Sequence, residues 1–178
     1  MLGRMASLPT LSLAEWVVLA VVSERPTHGF AISQLTANDG DLGRVWHIPR
    51  PVVYRALGRL AAASLIAADS IEPGNGPQRT IYTATPAGAT AVLAWREKPV
   101  EHIRDVRSHL LMKLALLHRA GADPAGLLHR QQEVLAPIAS AITARRGDEP
   151  DGFDATLLAW RRANAAAAIT FLADITPR

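Results

Sequence analysis

The sequence contains no cysteine, and this absence excludes two kinds of structure. None of its 178 residues offers a thiol that could form a disulfide or bind zinc. The apolar runs are also short. Residues 16–22, for example, are followed by Ser23 and fall far below the roughly 20 residues that a membrane-spanning helix needs. The first residues lack the apolar core of a secretory signal, so we expect a cytoplasmic protein with no membrane partner.

Lysine is almost absent, because Lys98 and Lys113 are the only two. Arginine therefore supplies nearly all of the positive charge, and the formal net charge is +3. A mildly basic chain is compatible with a nucleic-acid partner, but charge of this size does not by itself predict one.

Sequence motifs of catalytic, phosphate-binding and metal-binding sites are missing as well. The sequence has neither a G-x-S-x-G nucleophile motif nor a glycine-rich phosphate loop. Its six histidines are not spaced as a metal-binding pair on one helix turn, and no carboxylate cluster accompanies them. We therefore predict no enzymatic activity, no catalytic residue, no cofactor and no metal site.

The first half of the chain has the pattern of a winged helix-turn-helix. Ser12 and Glu15 have the spacing of a capping box, and Thr85 followed by Pro86 is typical of a helix start. Between them the pattern predicts two more helices, with Phe30 among the core contacts of the second, and then a two-stranded hairpin. The predicted helices cover residues 12–23, 30–36, 50–63 and 86–97, and the predicted strands cover residues 66–71 and 79–85. This order assigns residues 8–98 to a DNA-binding domain in which the hairpin is the wing.

The helix that follows His47 carries arginines away from its apolar stripe. On a helical wheel the stripe contains Val53, Leu57, Leu60 and Ser64. The opposite side contains Pro51, Val52, Arg55, Arg59 and Ala62, with Arg50 and Tyr54 flanking it. Such a helix suits the major groove of DNA, where arginine contacts phosphate or guanine. A plain solvated helix face would look the same, and the predicted wing favours the DNA interpretation.

Three stretches, "LSLAEWVVLAVVSERPTHGFAISQL", "RVWHIPRPVVYRALGRL" and "GPQRTIYTATPAG", together resemble the PadR family of bacterial transcriptional regulators. The later "LAWREKP" and "RDVRSHLLMKLALL" fit the helical C-terminal domain of that family. The resemblance implies a mostly α-helical fold with a small β-hairpin wing and a helical dimerisation domain, here residues 106–176 after a hinge at residues 99–105. It also implies a homodimeric repressor that binds an inverted-repeat operator in double-stranded DNA.

The resemblance also assigns residues to the DNA. Tyr54 is expected on backbone phosphate, and Arg50, Pro51 and Val52 on base edges. Arg59 and Arg79 are expected on phosphate or in a groove, with Gln78 beside Arg79. His28 matches a position that either contacts phosphate or has a structural role. The sequence departs from the family pattern in three places. Family wings are often richer in basic residues, whereas here Gln78 and Thr80 surround the single Arg79. Gly58 stands where a basic residue is common, and Ser64 stands where glycine often follows the recognition helix.

The four tryptophans divide between the two predicted domains. Trp16 and Trp46 are expected in the core of the first. Trp95 and Trp160 are candidates for binding a small aromatic effector, as the resemblance implies, and packing at an interface or in the core is the alternative for both. The predicted function is a sequence-specific DNA-binding regulator. The alternatives are a winged-helix module that binds another protein, and a dimer that sequesters a small molecule.

Overall fold

The computed structural model describes residues 10–72, 79–144 and 151–177. The chain divides into two compact units, Met1–Leu93 and Ala94–Arg178, here called the N-terminal unit and the C-terminal unit. The predicted domain boundaries and the predicted hinge at residues 99–105 stay predictions.

The N-terminal unit has the winged-helix element order that the sequence predicts. Its helices are α1 Leu13–Glu24, α2 Gly29–Leu35, α3 Arg50–Ala62 and the start of α4 Pro86–Glu97. Its strands are β1 Thr27–His28, β2 Ile66–Glu72 and β3 Arg79–Ala84, paired antiparallel in the order β1-β3-β2. The prediction of a two-stranded hairpin was incomplete, because β1 pairs with β3 on its other edge. Two residues are too few to show the alternation that marks a strand.

Helix α1 is the centre of this unit. All six of its residues from Val17 to Val22 are buried, since other elements pack around it on several sides. Ile32 of α2 and the predicted stripe of α3 complete the core. That stripe is confirmed at Val53, Leu57 and Leu60, all 2% exposed or less. Two core predictions were wrong, because Phe30 and Trp46 are 37% and 41% exposed.

The long connection between α2 and α3, residues 36–49, is tied down by backbone hydrogen bonds. The amides of Leu42 and Gly43 both donate to the Leu35 carbonyl, at 3.0 and 3.1 Å, and the Ile48 amide donates to the Thr36 carbonyl. Leu42 is fully buried. At Gly43 a Cβ atom would lie 1.5 Å from the Ala37 carbonyl oxygen, so no other residue fits without moving the backbone. The connection therefore fixes where α3 begins.

A Schellman motif ends α3. The Ser64 amide donates to the Ala61 carbonyl at 2.9 Å, and the Leu65 amide donates to the Leu60 carbonyl at 3.0 Å. Ser64 has a φ of 56°, the left-handed conformation that glycine adopts without strain. Its carbonyl also accepts a hydrogen bond from the Thr85 hydroxyl, which caps α4 through the Gly88 amide. The strained serine thus links the end of α3 to the start of α4.

The C-terminal unit is helical from Ile103 onward in its described part. A 3₁₀ turn, Ile103–Asp105, and a π-helical segment, Val106–Leu110, lead into α5 Leu111–Arg119, α6 Ala125–Thr143 and α7 Gly152–Ile175. Its core includes Val106, Leu110, Leu128, Leu135 and Leu172. The π-helical segment was not predicted, because its residues continue the same apolar spacing as α5.

Within the predicted hinge, Val100 is buried and its backbone is fully paired. The Gln131 side-chain amide donates to the Val100 carbonyl at 2.9 Å and accepts from the Val100 amide at 2.8 Å. Gln131 is itself fully buried, so this two-way bond satisfies a polar side chain inside the apolar unit. None of the described helices combines the length and the apolarity needed to cross a membrane.

Candidate nucleic-acid interface

Helix α3 presents the face that the sequence predicts. Pro51, Arg55 and Arg59 are exposed and Val52 is half-buried, while the opposite side is packed in the core. Pro49 is the N-cap residue, and neither it nor another side chain caps the helix there. The positive end of the α3 dipole is therefore at the surface beside Arg50.

An aromatic cluster lies where α3, α2 and the wing meet. The guanidinium carbon of Arg50 is 5.6 Å from the ring centroids of both Phe30 and Tyr54. The guanidinium carbon of Arg79, the first residue of β3, is 5.3 Å from the Phe30 centroid. One phenylalanine ring therefore contacts an arginine from the recognition helix and an arginine from the wing.

His28 closes the same cluster from the other side. Its ring centroid is 6.3 Å from that of Phe30, and the two rings are stacked. Its Nδ1 accepts a hydrogen bond of 3.1 Å from the Ala31 amide, which caps α2. Because Nδ1 is the acceptor, Nε2 carries the proton of the neutral ring and is the atom left to donate to a ligand. The two roles expected for His28 are thus compatible with each other.

These side chains line one open cleft of about 420 Å³, together with Thr80 and Tyr82. The described residues of its lining carry two guanidinium groups, hydroxyls and an imidazole. Such a surface attracts an anion and offers it several hydrogen-bond donors.

The Tyr54 ring reaches the cleft by packing directly against the backbone of Gly29. A Cβ atom on Gly29 would lie 2.9 Å from Cε1 of the Tyr54 ring and 3.0 Å from a methyl group of Leu57. The bare backbone at Gly29 therefore lets α2 and α3 approach closely and sets the position of the Tyr54 ring.

Arg59 has a partner inside the protein. Its Nε lies 3.0 Å from Oε1 of Glu15, a side chain that is only 3% exposed. The other carboxylate oxygen of Glu15 accepts hydrogen bonds from the amide and hydroxyl of Ser12, which completes the predicted capping box. Arg59 therefore joins α3 to the buried start of α1.

The structure thus sorts the predicted DNA-binding residues into three groups. His28, Arg50, Tyr54 and Arg79 come together in the cleft, although they come from three separate parts of the sequence. Pro51, Val52 and Arg55 lie along α3, and Arg59 pairs with Glu15. Gln78 lies outside the described residues.

Phe30 is the member of the site that sequence reasoning missed. Its apolar character predicted a core position, and its place directly after "HG" was the signal that could have suggested otherwise. The two arginines that cover it come from residues 20 and 49 positions further along the chain, so its role is visible only in three dimensions.

A family model matches part of the chain. Residues 18–94, nearly the whole described N-terminal unit, match the transcriptional regulator PadR-like family. Over these residues the chain is similar to that family, and the rest of the chain lies outside the match. No curated protein matches the chain.

Several solved structures are similar to this chain. One is Bacillus subtilis PadR in complex with operator DNA, at 16% identity and a TM-score of 0.46, with 92% of this chain and 97% of that chain covered. Another is Bacillus subtilis PadR in complex with p-coumaric acid, at 16% identity and a TM-score of 0.41, with 92% and 93% covered. A third is smu.1604c from Streptococcus mutans, at 14% identity and a TM-score of 0.43, with 90% and 96% covered.

In the C-terminal unit the two candidate effector residues have separate surroundings. Trp160 is 67% exposed and lines a cleft of about 630 Å³ together with apolar residues of α6 and α7. Three arginines also line this cleft, namely Arg104, Arg107 and Arg161. Trp95 is not among its lining residues.

Trp95 instead packs against a buried lysine. The Nζ of Lys113 lies 5.0 Å from the Trp95 ring centroid and donates a hydrogen bond to the Lys98 carbonyl. Lys113 is 3% exposed. Burial, and secondarily the charge of Lys98, lowers the pKa of Lys113 to about 8. This environment matches the packing alternative for Trp95. Among the described residues, no group of three or more histidine, aspartate or glutamate side chains could hold a metal ion.

Proposed function

We propose that this PadR-like protein is a homodimeric transcriptional repressor that binds an inverted-repeat operator in double-stranded DNA. The observation that carries the proposal is the cleft where the recognition helix meets the wing, which gathers Arg50, Arg79, Tyr54 and His28 around one aromatic ring. A surface with two guanidinium groups and several neutral donors fits a phosphate backbone. As a DNA-binding regulator the protein would act in the cytoplasm.

The exposed face of α3 supplies the part that reads sequence. Pro51 and Val52 lie in its first turn, and Arg55 follows one turn later, so the three project from the start of the helix as it would enter a major groove. Arg55 is exposed and makes no ion pair in the part of the chain that the structure describes. Its guanidinium can therefore pair with both acceptors of a guanine without first breaking an internal contact.

Helix α7 supports the dimer. Its outward face from Thr156 to Thr170 carries no charged residue. The exposed positions on it are Thr156, Ala159, Trp160, Ala163, Ala166, Ala167 and Thr170. Small side chains let a second helix approach closely, and Trp160 offers a large apolar anchor. Two copies joined here would present two recognition helices to half-sites about one helical turn, roughly 34 Å, apart.

The dimer is tested with a charge on that face. Ala163→Glu places a carboxylate beside Trp160, and sedimentation equilibrium should show a monomer at concentrations where the parent protein is a dimer. Ala136→Glu, the same change at an exposed position of α6, is the control and should remain dimeric. If both variants stay dimeric, α7 is not the main interface.

The cleft at Trp160 supports a small aromatic effector. Apolar residues and an indole ring can hold an aromatic ring, while Arg104, Arg107 and Arg161 favour an anionic one. The test is a titration with 2-naphthoate, using uncharged 2-naphthylmethanol as its partner probe and Trp160→Phe as the control protein. Binding of the acid that is stronger than binding of the alcohol, and that weakens in the variant, would support the site. Equal binding of 2-naphthoate to the parent protein and to the variant would show that Trp160 is not part of the effector site.

The decisive experiment measures binding to the DNA upstream of the protein's own coding region by fluorescence anisotropy at two salt concentrations. We expect two protomers per site, and affinity that falls as salt rises because phosphate contacts release counterions. Arg55→Ala should lower the affinity while leaving the dimer intact. If no fragment of upstream or random genomic DNA binds specifically, the repressor proposal fails, and a protein-binding module or a sequestering dimer becomes the better account.

A further inference from the structure

Phe30 is an exposed aromatic residue that holds two cations. Its ring is 37% exposed, yet Arg50 and Arg79 both lie within 5.6 Å of its centroid. The two arginines come from the first turn of α3 and the first residue of β3, so the Phe30 ring contacts both the helix and the wing.

Stacking on a ring changes what an arginine can do. A guanidinium that packs against an aromatic face keeps its N–H donors at its edge, where they can still reach a ligand. It also loses part of its rotamer freedom before the ligand arrives, so less entropy is lost on binding. A single ring that holds two arginines therefore prepares both of them for the same ligand.

The two positive charges are also kept near each other. Their distances to the shared centroid place the two guanidinium carbons no more than about 11 Å apart, close to the Debye length of roughly 8 Å at physiological salt. Two exposed cations at this separation repel each other weakly, and an anion between them removes that repulsion. The Tyr54 and His28 rings border the same space and add neutral donors.

We propose that Phe30 is a positioning residue for DNA: its ring holds Arg50 and Arg79 so that both guanidinium groups bind one stretch of phosphate backbone between the recognition helix and the wing. This inference rests on the proposed function. It assigns Arg50 to the backbone, in place of the base edges that the family resemblance implies, and it gives Phe30 a role that burial does not explain.

A double-mutant cycle on operator affinity tests the coupling. Phe30→Leu keeps apolar volume but removes the ring face, and should weaken binding about 3- to 10-fold. Arg79→Ala should weaken it about 10-fold. Without Arg79 the ring positions only Arg50, so removing the ring then costs less affinity. The double variant should therefore lose clearly less affinity than the product of the two single losses.

Arg55 provides the matched control for this cycle. It lies on the same helix as Arg50, but no contact joins it to the ring, so Phe30→Leu with Arg55→Ala should give the full product of the single effects. Phe30→Tyr keeps the ring and should keep the affinity, which guards against a variant that merely folds poorly. If the Phe30 and Arg79 effects multiply as the control pair does, the inference is wrong.

The role of Arg50 is tested by comparing two DNA sequences. A backbone contact should make Arg50→Ala weaken the operator and a scrambled duplex by the same factor, and lower the salt slope by about one. A loss confined to the operator would place Arg50 on base edges and overturn this part of the inference.

NMR of the free protein separates failure of this inference from failure of the proposed function. The side-chain protons of Arg79 should be shifted upfield by the Phe30 ring relative to those of Arg55, and Phe30→Leu should remove the shift. If DNA binds but the shift is absent, Phe30 does not position Arg79 and the repressor proposal stands. If the shift is present but no DNA binds, the contact is real and the DNA function, with the role of Phe30 in it, is wrong.

Discussion

Nε of Arg59 lies 3.0 Å from Oε1 of Glu15, which joins the recognition helix to a carboxylate that is almost completely buried. The arginine side chain is itself 62% exposed, so the ion pair has one solvent-exposed and one buried partner. A charge buried beside an apolar core is tolerated when it is paired and hydrogen-bonded. Glu15 meets both conditions, through Arg59 on one oxygen and Ser12 on the other.

We therefore expect Arg59→Ala to act on stability. It removes the cation from a buried carboxylate and should lower the free energy of unfolding by about 1–3 kcal/mol. Arg55→Ala removes an exposed arginine with no ion pair and should change that free energy by less than about 0.5 kcal/mol. Urea unfolding followed by circular dichroism compares the two variants.

DNA affinity completes the comparison of these two arginines. Arg55→Ala should weaken operator binding. Arg59→Ala should weaken it less, when the affinity is measured under conditions in which the variant is fully folded. If Arg59→Ala leaves stability unchanged and abolishes binding, the family expectation of a phosphate contact at Arg59 is correct and the ion pair is incidental.

Ser64→Gly should stabilise the protein. The serine has a φ of 56°, and a non-glycine residue there costs about 1–2 kcal/mol. Glycine removes that cost but gains freedom in the unfolded chain, so a net increase of about 1 kcal/mol is expected. Ser64→Ala keeps the strain and should give no such increase. A shift in the thermal unfolding midpoint measures both, and equal behaviour of the two variants would contradict the argument.

Two glycines should respond in opposite directions to the same change. Gly58 lies on the exposed face of α3, and a methyl group added there would meet no other atom within 4 Å, so Gly58→Ala should stabilise the helix by about 0.5–1 kcal/mol. At Gly43 the methyl group would collide with the Ala37 carbonyl oxygen, so Gly43→Ala should destabilise the protein by several times as much. Chemical denaturation tests both, and a neutral Gly43→Ala would show that residues 36–49 adapt easily.

Lys113 should make stability depend on alkaline pH. Burial lowers its pKa to about 8, against 10.5 in the unfolded chain. Below pH 8 both states are protonated, and the folded state bears the full cost of the buried charge. Between pH 8 and 10.5 the unfolded state binds more protons, so stability rises with pH. The shift corresponds to about 3 kcal/mol at most.

Lys113→Met isolates this effect. The variant should be less sensitive to pH across that window, so the stability of the parent protein should rise relative to it from pH 8 to 10. Urea unfolding at unit pH intervals gives the difference, which cancels other titrating groups. A difference that is constant with pH would mean that Lys113 stays protonated and solvated.

The elements that the sequence predicted correctly depend on neighbours along the chain. The capping box of Ser12 and Glu15 and the Thr85 cap are local and are confirmed. The buried stripe of α3 is confirmed at its three helical positions. Its fourth predicted member, Ser64, is exposed, because the helix ends before it and its backbone turns to a φ of 56°. The two-residue strand β1 was missed because its pairing with Tyr82 and Ile81 lies more than 50 residues away. Local spacing carries no information about such a partner.

The site shows the same limit. The helical wheel correctly placed Arg59 away from the apolar stripe, yet it could not show that Glu15, 44 positions earlier, would pair with it. Phe30 and Trp46 were expected in the core because they are apolar, and both are exposed. Trp95 was grouped with Trp160 because the family resemblance implies an effector pocket lined by aromatic residues. The fold gives the two different surroundings, one a lysine ammonium and the other a cleft with arginines.

Because Gly29 has no side chain, this buried position controls where the ring of the exposed residue Tyr54 lies. Any side chain there would push the Tyr54 ring, 2.9 Å from the added carbon, out of its place against α2. If the cleft binds phosphate as proposed, a substitution at Gly29 would therefore change how strongly the protein binds every operator at once. Natural substitutions at position 29 would then change the number of genes that respond, while the base sequence preferred at each operator would stay the same.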